Sequence, residues 1–273
     1  MTPQPLLEQY ESTFPNFEVP PHLEAAEPPE ARGLRRDEVR LMVSHRGDDR
    51  VTHGQFADLP DFLRAGDVLV VNTSGTMNAA IPARRADGTP LELRLSTHLP
   101  AELWTIELRR PEGAASVPFR DARAGEEIHL PDGAKTVLHA PYAFGSRLWV
   151  ASLYLPAPLD EYLDRYGAPI RYAYIRESWP LDYYQTVYAT GKGSAEMPSA
   201  GRAFTPELIA RLVAGGVQVA PLVLHTGVAS LEDDEPPYEE FYSVPSATAR
   251  LVNAAHAAGG RVVAVVAASD SAH

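Results

Sequence analysis

The sequence predicts an α/β protein in which a mixed or parallel sheet is combined with an antiparallel β-barrel. Two regions with different hydrophobic patterns indicate this fold class. From residue 67 to about residue 155, short segments alternate apolar and polar residues between turn signals, as in an antiparallel sheet closed into a barrel. From Thr205 onward, helical segments alternate with apolar strands, which is typical of a parallel sheet. The length of 273 residues fits one large domain or two smaller ones.

Composition excludes several classes of protein. The absence of Cys excludes a disulfide scaffold, a thiolate zinc site, an iron–sulfur cluster and a cysteine nucleophile. No window reaches the roughly 18 uncharged apolar residues of a membrane span, and the N-terminus lacks a signal-peptide pattern, so a cytoplasmic protein without a membrane partner is expected. The formal net charge of −12 argues against a generalised basic surface, so any contact with RNA must be local.

The N-terminal third begins with a segment rich in Pro and Glu. Residues 1–35 are expected to form an extended arm, with a partly disordered tail as the alternative. The alternation over residues 39–43 then predicts a strand, and residues 55–63 predict a short helical segment.

The predicted barrel strands cover residues 67–71, 91–95, 104–108 and 148–153. Turn signals separate them, among them Asp87-Gly88 and the segment 131–133. Residues 64–150 contain 10 basic and 10 acidic residues, so the excess negative charge lies outside this segment.

The C-terminal third predicts two helix–strand units. Thr205 is expected to cap a helix that ends at Gly215-Gly216 and is followed by a strand over 217–225. Ser246 is expected to cap a second helix, followed by a strand over 261–265. Because ligands bind at the carboxyl ends of parallel strands, His225 lies where a site is expected.

Three clusters of residues could carry chemistry. They are the tyrosine run at 183–188, the small-residue turn at 198–205, and His225. Free N–H groups at a helix N-terminus favour a carboxylate or phosphate, although an ordinary capped loop is the alternative for the turn. His225 could transfer a proton or serve as a structural residue. The acidic run at 232–235 favours a solvated loop over a cation site, so no metal is expected.

Several motifs, in a fixed order, resemble the S-adenosylmethionine:tRNA ribosyltransferase-isomerase family of queuosine biosynthesis. They occupy residues 55–72, 81–84, 184–189, 198–201, 204–208 and 224–225. The resemblance implies an α/β domain of residues 1–63 and 156–273 carrying an inserted β-barrel domain at 64–155. It also implies transfer and isomerisation of the ribosyl moiety of S-adenosylmethionine to 7-aminomethyl-7-deazaguanine in tRNA. The products would be epoxyqueuosine, adenine and methionine.

The resemblance also implies roles for individual residues. His225 would be the catalytic, proton-transferring residue, and S-adenosylmethionine would be a cosubstrate, with no prosthetic group. The cosubstrate would contact Tyr184, Gln185, Tyr188, Ser199, Ala200, Gly201, Phe204 and Thr205. The substrate, the anticodon stem-loop of tRNA, would contact Asn72, Arg84, Arg202, Thr226, Gly227, Tyr238 and Glu240. The tyrosine run and the small-residue turn are therefore expected to fold together around the cosubstrate.

The chain also departs from the family pattern. Where the family has a histidine before Phe204, this chain has Ala203, preceded by the cation Arg202. The sequence after residue 265 is shorter than in the family, so either association with another chain, such as a homo-oligomer, or an incomplete fold is expected. Two alternatives to the family activity follow. One is a paralogue that uses S-adenosylmethionine with a small-molecule acceptor, and the other is a catalytically silent binding protein.

Overall fold

A computed structural model describes most of the chain. The described residues are 20, 23, 25–113, 115–142, 147–171, 175, 177–228 and 238–265. The strands are β1 Arg40–His45, β2 Arg50–Gln55, β3 Val68–Asn72, β4 Ser74–Thr76, β5 Ala80–Arg84, β6 Pro90–Leu99, β7 Leu103–Glu112, β8 Ala115–Pro118, β9 Glu127–His129, β10 Lys135–Pro141, β11 Leu148–Tyr154, β12 Gly191–Ser194, β13 Gln218–Leu224, β14 Tyr242–Ser243 and β15 Val262–Ala264. The α-helices are α1 Leu159–Tyr166, α2 Pro206–Ala214 and α3 Ser246–Ala257.

Six antiparallel strands form the predicted barrel. Their order is β11-β10-β9-β5-β6-β7, and a pairing between β7 and β11 closes the sheet. Strand β8 extends it outside β7. The apolar positions of the alternating strands point inward, so Leu93, Leu95, Ile106 and Leu108 are fully buried in one core. The barrel prediction is confirmed.

A second sheet, in the order β14-β13-β3-β15, forms the α/β part. Strand β3 pairs in parallel with β13 and β15, and β14 is antiparallel to β13, so the sheet is mixed as expected. Leu69 and Val71 pack with Leu208 and Leu212 of α2 on one face. Val68 packs with Ala255 of α3 on the other face.

Strand β3 is not a strand of the barrel, to which the sequence analysis assigned it. The predicted insertion began at residue 64, yet β3 is the strand between β13 and β15 in the mixed sheet. The run Val68-Leu69-Val70-Val71 is continuously apolar rather than alternating, as expected for a strand covered by helices on both faces. We propose that the inserted domain instead begins between β4 and β5 and ends near residue 155.

The predicted N-cap agrees with the structure in one of the two predicted helices. Thr205 is the N-cap of α2, and its hydroxyl accepts the Leu208 backbone N–H at 3.1 Å. The predicted capping role of Ser246 is wrong. Ser246 is the first residue of α3, because Pro245 occupies the N-cap position without a side-chain cap. The Ser246 hydroxyl instead lies 3.3 Å from the Arg250 guanidinium.

The N-terminal part contains a hairpin and short 3-10 turns. The predicted strand at 39–43 corresponds to β1, which pairs with β2. The predicted helical segment at 55–63 is the 3-10 helix Phe56–Phe62. Of the predicted arm, residues 1–19 lie outside the described residues, whereas Pro29–Arg32 and Arg36–Glu38 form 3-10 turns. In the described part of the chain, no helix has the length and apolar character needed to span a membrane.

Candidate active site

A row of hydrogen bonds reaches His225 at the carboxyl edge of the mixed sheet. His225 follows β13, and its Nδ1 lies 2.7 Å from the Ser74 hydroxyl. The Ser74 hydroxyl lies 2.6 Å from the Ser194 hydroxyl at the end of β12. The Thr226 backbone N–H in turn donates to Ser194 Oγ at 3.1 Å. The ends of three strands therefore meet at one imidazole.

The His225 ring is held between Gly193 and Phe241. A Cβ at residue 193 would approach the ring to 2.2 Å, so the imidazole occupies space that only glycine leaves open. The Phe241 ring stacks on the imidazole, with centroids 5.1 Å apart and planes 23° apart. The Phe241 carbonyl also accepts the His225 backbone N–H at 2.9 Å. Burial lowers the pKa of His225, so the side chain is neutral at pH 7.

A cavity of about 590 Å³ lies between the barrel and the α/β part, with His225 on its wall. This volume is within the range of small-molecule sites. The barrel contributes His98 and Trp104, whose rings lie 4.8 Å apart, and Glu102 follows His98 in the same lining. The remaining polar lining includes Asp160 of α1 and Lys192 of β12. The cavity thus combines aromatic surface, charged groups and a neutral histidine.

The tyrosine run and the small-residue turn come together, but they pack directly against each other, whereas the sequence analysis expected them to enclose the cosubstrate. Arg202 Nε donates to the Tyr183 carbonyl at 2.5 Å. The Tyr188 ring lies 5.9 Å from the Phe204 ring. A Cβ at residue 201 would lie 2.1 Å from the Tyr188 hydroxyl oxygen. The two segments are therefore in contact rather than separated by a ligand-sized gap at Gly201.

Residues 30–37 form hydrogen bonds with both the tyrosine run and the small-residue turn. Glu30 accepts hydrogen bonds from Arg36 at 2.8 Å and from Arg202 at 2.7 Å. Arg36 also donates to the Gln185 carbonyl at 2.6 Å. The Asp37 carboxylate lies 3.3 Å from the Thr205 hydroxyl. A carboxylate of the protein itself thus lies beside the N-cap hydroxyl of α2, and Thr205 caps the helix, as in the capped-loop alternative of the sequence analysis.

The predicted cosubstrate residues have structural contacts of their own. The Gln185 side chain bonds both backbone groups of Thr76, accepting at 2.9 Å and donating at 2.8 Å. Phe204 is a core residue that meets Phe56 edge-on, with centroids 4.9 Å apart. Burial raises the pKa of both predicted tyrosines, Tyr184 and Tyr188. Ser199, Ala200 and Gly201 form a 3-10 turn.

The predicted substrate residues divide into two groups. Thr226, Gly227 and Glu240 lie next to His225, and the Gly227 N–H donates to the Glu240 carboxylate at 2.8 Å. Burial raises the pKa of Glu240, and this hydrogen bond only partly offsets the effect. Tyr238 lies in the same segment, with its ring 5.6 Å from the buried Arg147 guanidinium.

The second group lies away from the cavity lining. Asn72 ties β3 to β13 by accepting the Leu224 N–H at 2.9 Å and donating to the Leu224 carbonyl at 2.7 Å. Arg202 is held by Glu30 and Tyr183, as described above. Arg84 ends β5 with an exposed side chain, four residues along the strand from the Ala80–Ala168 bridge to the α/β part. The acidic run at 232–235 lies outside the described residues.

Several residues of the site were missed by the sequence analysis. Ser74, Ser194 and Gly193 lie on short strands that alternation does not reveal, because β4 and β12 have three and four residues. Trp104 was recognised only as a strand residue. Lys192 was not assigned a role. One signal was available. Ligands bind at the carboxyl ends of parallel strands, and this rule, which identified His225, also applies to the residues that follow β3.

The α/β sheet, the closed barrel and the histidine at the carboxyl edge define a class of two-part α/β enzymes. A family model described as "Queuosine biosynthesis protein" matches residues 12–270. The chain belongs to this queuosine biosynthesis family, as its motifs predicted.

Three similar curated proteins carry the name S-adenosylmethionine:tRNA ribosyltransferase-isomerase. The protein of that name from Thermotoga maritima is 34% identical over 257 residues, covering 92% of this chain and 72% of the relative. Those from Symbiobacterium thermophilum and Thermus thermophilus are 35% and 36% identical over 261 residues, with the same coverage. A crystal structure of S-adenosylmethionine tRNA ribosyltransferase from Thermotoga maritima matches with 28% identity and a TM-score of 0.39, covering 91% of this chain and 68% of that one.

Proposed function

We propose that this protein is an S-adenosylmethionine:tRNA ribosyltransferase-isomerase. It transfers and isomerises the ribosyl moiety of S-adenosylmethionine to 7-aminomethyl-7-deazaguanine in tRNA, giving epoxyqueuosine, adenine and methionine. The observation that carries the proposal is the family match over residues 12–270, which includes every segment that builds the His225 cavity. The proposed location is the cytoplasm, where the tRNA substrate is found.

The cavity is proposed as the S-adenosylmethionine site. S-adenosylmethionine carries a sulfonium, an ammonium and a carboxylate, and therefore has a net charge of +1. The cavity lining contains the carboxylates of Glu102 and Asp160, the ammonium of Lys192 and the neutral His225. The Lys192 ammonium is already paired with the Asp164 carboxylate at 2.7 Å, so the lining together with Asp164 carries an excess of negative charge, which complements the cosubstrate. Asp160 suits the ammonium of the cosubstrate.

The adenine ring is proposed to lie against the aromatic part of the cavity. Trp104 on the barrel side and Phe241 on the α/β side both line it. Flat heterocycles gain from contact with aromatic faces, and such contacts tolerate small changes of position. Enclosure between the two parts of the protein would also remove water from the reacting atoms, which strengthens each electrostatic contact.

The sulfonium of S-adenosylmethionine explains the chemistry. It acidifies the hydrogens on the adjacent C5′, so transfer of one of them to a base can start the elimination of adenine. The amine of the deazaguanine then captures the resulting electrophile, and methionine leaves as its bond to the ribosyl carbon breaks. Adenine leaves as negative charge develops on its ring nitrogens. His225 is proposed as the catalytic residue because its ring is on the cavity wall and has a fixed orientation.

The tRNA is proposed to approach the open side of the cavity at Phe241 and Tyr242. These two side chains are 53% and 71% exposed. Enzymes that modify a base extrude it from its stack and commonly hold it against aromatic side chains. A local aromatic contact of this kind agrees with a protein whose net charge of −12 disfavours wide contact with phosphates.

Release of free adenine tests this function. The protein is incubated with S-adenosylmethionine and a tRNA that carries 7-aminomethyl-7-deazaguanine at the wobble position, and adenine and the modified nucleoside are quantified by chromatography. We expect equal amounts of both products, and no adenine with the same tRNA carrying guanine. Adenine formation that depends on a small amine instead of tRNA would favour a small-molecule acceptor. Absence of adenine under all conditions would contradict the proposal.

A further inference from the structure

We propose that His225 presents a protonated Nε2 to the cavity, and that Ser74 is the positioning residue that fixes this tautomer by donating its hydroxyl hydrogen to Nδ1. His225 then acts toward the bound nucleoside as a hydrogen-bond donor and not as the base that removes the C5′ proton. The catalytic part of this inference rests on the proposed function. The tautomer itself rests only on the hydrogen bonds described above.

The Thr226 backbone N–H sets the direction of the hydrogen bonds that run from Thr226 through Ser194 and Ser74 to His225. A backbone N–H can only donate, so the Thr226 N–H must place its hydrogen on Ser194 Oγ. Ser194 Oγ therefore acts as an acceptor toward Thr226, and its own hydrogen remains to be placed. Within the described part of the chain, the only other partner of Ser194 Oγ is the Ser74 hydroxyl at 2.6 Å.

Each hydrogen finds an acceptor in only one arrangement. If Ser194 donates to Ser74, then Ser74 donates to His225 Nδ1, and every hydroxyl hydrogen in the row is used. In the reverse arrangement, His225 Nδ1–H donates to Ser74 and Ser74 donates to Ser194. The Ser194 hydrogen is then left without an acceptor among the described residues. Ser194 is fully buried and Ser74 nearly so, so an unused O–H there is strongly disfavoured.

The arrangement determines what His225 can do. Nδ1 is occupied as an acceptor, so in a neutral imidazole the single ring proton is on Nε2. A neutral imidazole with Nε2–H is a poor base at that atom, but it is a good donor to an atom on which negative charge develops. In the proposed reaction, that atom is a ring nitrogen of the departing adenine. The departing adenine anion takes up its proton from water, so His225 keeps its own proton and the ring remains neutral throughout.

The surroundings of the ring support this role. Gly193 and Phe241 hold the imidazole in one orientation, which fixes where Nε2 points. Burial keeps the ring neutral at pH 7 by lowering its pKa. A neutral histidine that polarises a substrate by donating a hydrogen bond is an established catalytic arrangement.

Nuclear magnetic resonance of the substrate-free protein tests the tautomer directly. Two-bond 1H–15N correlations of the ¹⁵N-histidine-labelled full chain at pH 8 distinguish Nε2–H from Nδ1–H, and loss of one set of signals in His225→Gln assigns His225. We expect the Nε2–H form to exceed the Nδ1–H form by about tenfold or more. A dominant Nδ1–H form, or comparable amounts of the two, would overturn the proposal.

Two serine variants test the role of Ser74. Ser74→Ala removes the donor to Nδ1, so the Nδ1–H share should rise several-fold. Ser194→Ala is the matched control, because it removes a hydroxyl from the same row but leaves Ser74 able to donate to Nδ1. The His225 spectrum should then remain that of the wild type. An unchanged spectrum in Ser74→Ala would contradict the assignment of Ser74. These spectra need no substrate, so they remain informative even if the adenine assay fails.

Discussion

Gly201 and Tyr188 are packed so closely that the tyrosine hydroxyl occupies the space where any other residue would carry its Cβ. A Cβ at residue 201 would lie 2.1 Å from the Tyr188 oxygen and 3.0 Å from Thr186 Cγ2. This contact joins the tyrosine run to the small-residue turn, two segments that the sequence analysis expected to meet. They meet as a packed interface with no room for a ligand at Gly201.

The first prediction concerns the substitution Gly201→Ala. The added methyl group has no room, and Tyr188 and Thr186 must move, so the free energy of unfolding should fall by about 1–3 kcal/mol. Denaturant unfolding measures the change. Gly191→Ala is the matched control, because a Cβ there would meet nothing within 4 Å. Equal stability of the two alanine variants would show that the Gly201 contact is not as tight as described.

The second prediction concerns Tyr188→Phe. In the described part of the chain, the buried Tyr188 hydroxyl has no hydrogen-bond partner. Its removal should therefore leave the free energy of unfolding unchanged or raise it by about 1 kcal/mol. Combined with Gly201→Ala, it should recover part of the stability lost in that variant, because the clashing oxygen is gone. A loss of more than about 1 kcal/mol in Tyr188→Phe alone would reveal a partner for the hydroxyl.

The third prediction concerns Glu107, a fully buried carboxylate on the barrel. It accepts hydrogen bonds from Arg109 at 2.7 Å and from Arg147, also fully buried, at 3.4 Å. Glu107→Gln removes the negative charge and should lower the free energy of unfolding by about 3–5 kcal/mol. In the same barrel, Glu127→Gln breaks an exposed pair with Lys135 and should cause no measurable loss. Similar losses of stability in both variants would contradict the conclusion that the buried carboxylate contributes far more than the exposed one.

The fourth prediction concerns the pH dependence of the Glu30–Arg202 pair. Burial, the largest single effect, raises the pKa of Glu30, but the hydrogen bonds from Arg202 and Arg36, with the charge of Arg202, together lower it below 4.5. A carboxyl with a depressed pKa in the folded state contributes stability above its unfolded pKa. That contribution is lost as the pH falls through the folded value.

A double-mutant cycle of Glu30→Gln and Arg202→Met measures this contribution. The coupling free energy between the two residues should be favourable at pH 7 and smaller at pH 3. An equal coupling at both pH values would mean that ionised Glu30 is not responsible for holding Arg202.

Much of the fold could be predicted from residue patterns. The alternation at 91–95, 104–108 and 148–153 identified β6, β7 and β11, because one face of each strand is buried in the barrel. Strand β3 was assigned to the barrel instead of the mixed sheet, because a short apolar run does not indicate which strands it pairs with. Helix α1, which carries Asp160, was not predicted.

The candidate site was harder to predict than the fold. His225 was found because ligands generally bind at the carboxyl ends of parallel strands. Ser74 and Ser194 are 120 residues apart, and nothing in the sequence indicates that their hydroxyl groups meet. Arg202 and Thr205 were expected to face ligands, but Glu30 and Asp37 provide their carboxylates from within the protein. Such pairings depend on tertiary contacts that local patterns do not encode.

The position of bound S-adenosylmethionine tests the central claim most directly. A crystal structure of the protein with this cosubstrate, or with its unreactive thioether analogue S-adenosylhomocysteine, would show it. We predict that the nucleoside lies in the cavity between the barrel and the α/β part, with Trp104 beside the adenine and His225 Nε2 within hydrogen-bond distance of the nucleoside. Density for the nucleoside at the turn 198–205, with the cavity unoccupied, would contradict the account.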